Sequence, residues 1–169
     1  MAAAHHKATE EVTNKMLDDH RIIVGFSVGA LHSEQAAWQA LQELDQAYSF
    51  APWPAEAWAK LSDHYYLVAA KQQQTWVGLA LLQLGMDHDG HLINLTIHPQ
   101  WRRQGLAKAL LQYLQGMAAI DSIYLEVAEC NTPARELYRK MGFQELCRKK
   151  AFYRDGSAAY AMQWQRGNA

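Results

Sequence analysis

Leu92-Ile93-Asn94-Leu95-Thr96-Ile97-His98 leads through Pro99-Gln100-Trp101 into Arg102-Arg103-Gln104-Gly105-Leu106-Ala107-Lys108. The first segment reads as a strand, and it stops at a proline. From Leu106 to Met117 the residues Leu106, Leu110, Leu111 and Leu114 recur at helical spacing and form a buried stripe. A strand, a glycine turn and a helix in that order place backbone N–H groups at the positive end of a helix. They sit beside a residue with no side chain to keep a ligand away, which makes a cradle for phosphate or pyrophosphate. By itself the turn reads equally as an exposed basic start to an amphipathic helix.

The flanking chain supplies the setting. Ile22 to Leu31 has β-rich character, and Ser33 reads as the N-cap of a helix carrying Ala37, Trp38, Leu41, Leu44 and Tyr48 at helical spacing. A second short helix starts at Pro54 and carries Trp58 and Leu61. Tyr65 to Ala70 and Trp76 to Leu84 read as strands, with Asp89-Gly90 as a hairpin signal before Leu92. Ser122 to Ala128 is another strand, Thr132-Pro133 opens a helix that Gly142 closes, and Phe143 to Phe152 and Ala158 to Trp164 are strands around Asp155-Gly156. The order βααβββαβαββ predicts a mixed α/β (α+β) domain over 22–166, its sheet mostly antiparallel. Residues 1–21 are expected to be an extension, flexible or loosely helical.

Composition excludes several classes. Of 169 residues half are apolar and a fifth charged, and the net charge of -1 offers no bulk attraction to nucleic acid or to an anionic membrane. Cys130 and Cys147 have neither zinc nor redox-pair spacing. No apolar run is long enough to span a membrane, and residues 1–21 lack a signal peptide's core. A reduced, cytoplasmic compartment is therefore expected. His88 and His91 flank Asp89-Gly90, and a hairpin turn explains them better than a metal site. The four tryptophans from Trp38 to Trp76 read as core or groove lining, because no basic face accompanies them.

Leu125-Glu126-Val127-Ala128-Glu129-Cys130-Asn131, followed by Ala134, Leu137-Tyr138 and Gly142-Phe143, is the second informative run. It resembles the strand, Asn, and helix ending in Leu-Tyr and Gly-Phe of the GNAT superfamily of N-acetyltransferases. Arg102-x-x-Gly105-x-Ala107 resembles that superfamily's pyrophosphate signature. Within it, Asn94 to Pro99, Arg103 to Leu106, Leu125 to Val127, Asn131, Leu137-Tyr138 and Pro52-Trp53 are similar to the bacterial ribosomal-protein-alanine N-acetyltransferases of the RimI type. The resemblance covers about residues 22–164. Phe152-Tyr153-Arg154 departs from it, standing where Tyr-Tyr-Pro is expected.

The resemblance implies the GNAT fold, with about four helices around the sheet and an acetyl-CoA cleft between splayed central strands. It implies acetyl-CoA as cosubstrate, no metal, and direct attack of an amine on the thioester. Glu126 is implied as the base, directly or through water, with Glu129 as a nearby competitor. Tyr138 is implied as the acid that protonates the CoA sulfur; its ring could instead serve packing against Ala134 and Met141. Leu95, Thr96 and Ile97 would lend backbone groups to the pantetheine amides, and Arg102, Arg103, Gln104, Gly105, Leu106, Ala107 and Lys108 would hold the pyrophosphate. Asn131 would hydrogen-bond the pantetheine arm, cap its helix, or do both. The implied acceptor is a protein N-terminus, the N-terminal alanine of small-subunit ribosomal protein eighteen. The alternatives are a lysine side chain, a small amine such as a polyamine or antibiotic, or a non-catalytic acyl-CoA-binding module. No direct contact with nucleic acid or membrane is expected, and a monomer is the default.

Overall fold

Runs of apolar, β-branched and aromatic residues pair into one sheet, described for residues 12–18 and 21–167 in a computed structural model. Its strands are β1 (Val12–Met16), β2 (Arg21–Ser27), β3 (Tyr65–Gln72), β4 (Thr75–Leu84), β5 (Asp89–Ile97), β6 (Ser122–Ala128), β7 (Gln144–Lys149) and β8 (Ala159–Gln165). They lie in the order β1-β2-β3-β4-β5-β6-β8-β7, antiparallel throughout except for the parallel pair β5–β6. The helices are α1 (Val28–Ser33), α2 (Gln35–Tyr48), α3 (Ala55–Trp58), α4 (Leu106–Gly116) and α5 (Thr132–Lys140), with a 3-10 turn at Pro99–Trp101. This is the mixed, mostly antiparallel α/β sheet expected, with five helices among the described residues in place of about four.

Each face of the sheet has its own core. On one, Leu106, Leu110, Leu111 and Leu114 of α4 pack with Val68, Leu82, Leu92, Leu125 and Val127. On the other, Leu31, Leu41, Leu44 and Trp58 from the first three helices pack on Phe26, Leu67, Leu79 and Leu81. The four tryptophans belong to this second core, with Trp58 fully buried and its ring 5.6 Å from that of Trp38.

Three local readings need correction. Val12–Met16 pairs with β2 and so enters the sheet, whereas residues 1–11 of the expected extension lie outside the described residues. The strand from Ile22 ends at Ser27, whose Oγ accepts the Ala30 N–H and starts α1; Glu34, not Ser33, occupies the N-cap of α2. The β4–β5 reversal is made by Asp87-His88, both left-handed at φ 60° and 63°, and Asp89-Gly90 is already strand. Aspartate tolerates that conformation and histidine is among the residues enriched there, so glycine is not required.

The feature that places the site is the parting of β5 from β6. Their parallel pairing runs from Asp89↔Ser122 to Leu92↔Leu125 and stops. Beyond it β5 continues to Ile97 against β4, while β6 continues to Ala128 against β8. Leu81 pairs with Asn94 and Leu82 with Leu92, so Ile93 is a bulge on β5. A bulge bends its strand and increases its twist, and this one sits where the strands separate. Half of β5 thereby keeps a free edge inside the sheet.

Candidate active site

The split opens into a cleft of about 890 Å³. Leu95, Thr96 and Ile97 line one wall, Glu126 to Ala128 the other, and Arg102, Arg103, Gly105, Leu106, Ala107, Lys108, Asn131 and Tyr138 also border it. Of the residues expected there, Gln104 alone lies outside the lining. Its backbone carbonyl accepts from Arg21 Nη1 at 3.1 Å and its side chain donates to the Gln100 carbonyl.

Gly105 is the N-cap of α4 in the left-handed conformation, φ 82°. Arg103 is also left-handed, φ 61°. The N–H groups of Leu106, Ala107 and Lys108 have no protein acceptor among the described residues. Unpaired donors at a helix start are the physical basis of an anion site. The Arg102 guanidinium is otherwise engaged. Its Nε donates to the Ile97 carbonyl at 2.9 Å and its Nη2 to the Tyr48 carbonyl at 3.4 Å, so it braces the end of β5 against α2. That leaves Arg103 and Lys108 as the side-chain cations of the turn. A Cβ at Gly105 would meet no protein atom within 4 Å. The left-handed backbone, not packing, is therefore what calls for glycine here. Gly105→Ala is expected to cost about 1–2 kcal/mol of folding stability and to weaken acetyl-CoA binding at least about tenfold, by crowding the approach to these N–H groups. Calorimetric titration with CoA would measure the second effect.

Local chemistry fixes α5 at both ends. Asn131 caps it, Oδ1 accepting the Ala134 N–H at 3.3 Å, and Pro133 follows within the first turn. Capping thus occupies the amide oxygen, while Nδ2 has no partner among the described residues. At the other end Phe143 N–H donates to the Tyr138 carbonyl and Gly142 N–H to the Arg139 carbonyl, with Gly142 at φ 84°. This is a Schellman cap, whose expected apolar contact is Tyr138 with Phe143, ring centroids 5.5 Å apart. The Leu-Tyr and Gly-Phe pairs are therefore one device, and it fixes the Tyr138 ring. Tyr138 is 7% exposed, and burial, with a smaller contribution from Tyr153, holds its phenol well above the ordinary range. It stays protonated at any working pH.

Glu126 lies one residue past the last β5–β6 pair. His91 Nε2 is 2.6 Å from its Oε2, and Lys149 Nζ is 2.5 Å from its Oε1. The hydrogen bond from His91, opposed by burial and helped by Lys149, pulls the Glu126 carboxyl down to about 2. The sequence reading gave neither His91 nor Lys149 a place at the site. His91 is not a turn residue but part of β5, in register with Tyr124 and one step before the split. Glu129 does not compete with Glu126. It points out of the cleft into paired hydrogen bonds with Arg148, both 2.7 Å. Tyr153, in the segment that departs from the family pattern, borders the cleft and makes an edge contact with exposed Phe50, centroids 6.1 Å apart. Among the described residues no group of three or more His, Cys, Asp or Glu could hold a metal, and no helix is long and apolar enough to cross a membrane.

Behind the β5 wall lies a residue with no sequence signal. Asp45 on α2 is fully buried and accepts from Trp53 N–H at 3.0 Å, Trp58 Nε1 at 2.9 Å and Asn94 Nδ2. Asn94 Oδ1 in turn accepts from Ser49 and Thr96. Burial raises the Asp45 carboxyl above its ordinary value against these donors.

A family model described as the acetyltransferase (GNAT) family matches residues 34–143. An N-alpha-acetyltransferase of Sulfurisphaera tokodaii is 39% identical over 77 residues, 43% of this chain, and that match spans only 46% of the relative's length. The N-alpha-acetyltransferase RimI of Mycobacterium tuberculosis is 31% identical over 150 residues, 84% of this chain and 94% of the relative. The ribosomal protein bS18-alanine N-acetyltransferase of Haemophilus ducreyi is 32% identical over 129 residues, 72% and 88% of the two chains. The crystal structure of the ribosomal-protein-S18-alanine N-acetyltransferase from Escherichia coli has the same fold, with TM-score 0.71 and 24% identity over 85% of this chain and 93% of that one. With most of its length under one family model, and a relative above 30% identity matched almost end to end, the chain belongs to the GNAT family of acetyltransferases.

Proposed function

We propose that this chain transfers the acetyl group of acetyl-CoA to the N-terminal α-amine of a protein, its acceptor being the N-terminal alanine of small-subunit ribosomal protein S18. The observation that supports the reading is that Glu126, Tyr138 and the start of α4 all line one cleft. The names of the relatives matched over most of their length support the acceptor.

Acetyl-CoA supplies an activated acetyl thioester. The residues present suit it: among the described residues, N–H groups of α4 without an acceptor and the cations Arg103 and Lys108 for the pyrophosphate, and a β5 edge not paired to β6 for the pantetheine amides. An α-amine with a pKa near 7.8 is roughly a tenth neutral at pH 7, against less than about a thousandth for lysine, so an N-terminus is the easier nucleophile. Glu126 takes the proton that the amine must lose, directly or through water. Tyr138 gives its proton to the departing sulfur. No step invokes a metal. Tyr138→Phe is expected to lower kcat about 10²-fold or more while acetyl-CoA affinity stays within about twofold; stopped-flow turnover beside a CoA titration checks it. A variant that no longer folds would assign the ring to packing alone.

The acceptor is tested by mass spectrometry on an Ala-starting peptide that also carries lysines, run beside an N-terminally blocked copy. Acetylation confined to the free α-amine is expected. Modified lysines on both peptides would make the chain a lysine acetyltransferase. Acetyl-CoA binding with no transfer to either would point to a small amine or a binding module.

A further inference from the structure

His91 has no part in the reaction just described, yet it makes a short contact with that reaction's base. It is on β5, one step before the last parallel pair, Leu92↔Leu125, and Glu126 on β6 is one step after it. Strand alternation puts His91, Tyr124 and Glu126 on the same face of the sheet. The bond from His91 Nε2 to Glu126 Oε2, 2.6 Å, therefore crosses from β5 to β6 at the vertex where the two strands part.

A second cation pulls the carboxylate another way. Lys149 Nζ holds Oε1 at 2.5 Å, but it comes from β7, two strands away on the far side of β8. Its side chain is 41% exposed and reaches in on a flexible stem. Without an opposing bond, Glu126 would follow Lys149 away from the β5 wall. That wall is the free strand edge on which the thioester arm is proposed to lie. His91 belongs to the same strand as the wall, so the bond ties the carboxylate to the element that sets the thioester's position. Other groups that face the pair are Gln83 on β4 and Tyr124 on β6, with Tyr153 from the β7–β8 loop; none of them hydrogen-bonds Glu126.

We infer that His91 is a positioning residue for acetyl transfer: its imidazole rivets the Glu126 carboxylate across the β5–β6 vertex, in register with the acceptor amine. The inference rests on the reading of Glu126 as the amine's proton acceptor. His91 is not among the residues that line the cleft, and it acts through Glu126. Partners that orient metal ligands change activity about 10- to 100-fold, and an effect of the same order is expected for one that orients a catalytic carboxylate.

The test is steady-state acetylation of an Ala-starting peptide by wild type, His91→Ala, His91→Gln, Glu126→Gln and the His91→Ala/Glu126→Gln double variant. His91→Ala is expected to lower kcat about 10- to 100-fold with KM for acetyl-CoA within about twofold. Glutamine can donate the same hydrogen bond through its side-chain amide, so His91→Gln should recover most of the loss. The double variant should be no slower than Glu126→Gln, because the histidine's effect passes through the carboxylate. Wild-type kcat in His91→Ala would overturn the inference, as would a histidine effect that multiplies with that of Glu126→Gln. Should His91→Ala fold poorly, His91→Phe, which keeps a ring but cannot donate, takes its place: slow turnover with phenylalanine beside near-normal turnover with glutamine supports the rivet, and equal rates in the two overturn it. Wild-type kcat in Glu126→Gln would instead remove the base assignment beneath the inference, a result distinct from any outcome at His91.

Discussion

Glu126→Gln is expected to lower kcat by about 10²- to 10⁴-fold, the range for loss of a positioned general base, and to leave the dissociation constant of acetyl-CoA within about twofold. The amide keeps the shape of the carboxylate and can accept from His91, but it cannot take a proton. Single-turnover rates beside a calorimetric CoA titration separate the two quantities, and near-normal turnover removes Glu126 from the mechanism. A carboxyl held at about 2 is ionised at every working pH, so its own protonation does not limit the acid side of the rate profile. So low a value makes Glu126 a weak base, so its part in proton removal rests on its position and on the acidification of the amine as the new C–N bond forms.

The same carboxylate has a stability signature. Its folded value lies below the ordinary 4.5, so its contribution is complete above about pH 4.5 and is lost as pH falls toward 2. With partners that are 42% and 41% exposed, solvent screens the pair, and a contribution on the order of 1–2 kcal/mol is expected. Urea midpoints of wild type and Glu126→Gln should differ most near neutral pH and converge only as pH falls to about 2.

Asp45→Ala is expected to be the most damaging single change to the fold. It leaves the fully buried Trp58 indole N–H, and the part-buried Trp53 N–H and Asn94 amide, without their acceptor. Each stranded donor costs about 1–3 kcal/mol, offset in part by no longer burying a carboxylate. A net loss of about 3 kcal/mol corresponds to a fall in Tm of roughly 6–12 °C for a chain of this size. Because Asn94 also steadies Ser49 and Thr96 at the cleft wall, KM for acetyl-CoA should rise as well. A calorimetric melt within 2 °C of wild type would contradict this account.

Much of the fold and most of the cleft lining could be read from the chain because the devices that build them are local. Gly105 turns left-handed and opens α4, Asn131 caps α5 three residues ahead, and Gly142-Phe143 closes α5 on Tyr138. Each acts within about six residues, so each leaves a mark in a short window of sequence. Arg102 shows where such marks mislead. Its place in the motif suggests a phosphate ligand, but its guanidinium is committed to the carbonyls of Ile97 and Tyr48. A motif records backbone shape more faithfully than it records where a long side chain points.

The amino-acid order by itself settled the order of elements from β3 onward, the glycine turn and the caps of α5. All of these follow from periodicity, dihedral preference and hydrogen bonds between near neighbours. Only the tertiary fold decided that Val12–Met16 is a strand, that β5 and β6 part at the Ile93 bulge, that Asp45 anchors the wall, and that His91 and Lys149 grip Glu126 from opposite sides. Those contacts join residues 23 to 49 positions apart in the case of the polar pairs to Glu126 and of Asp45 with Asn94. No local preference encodes them; they exist because burying two apolar faces forces a particular strand register, and that register sets which distant polar groups meet.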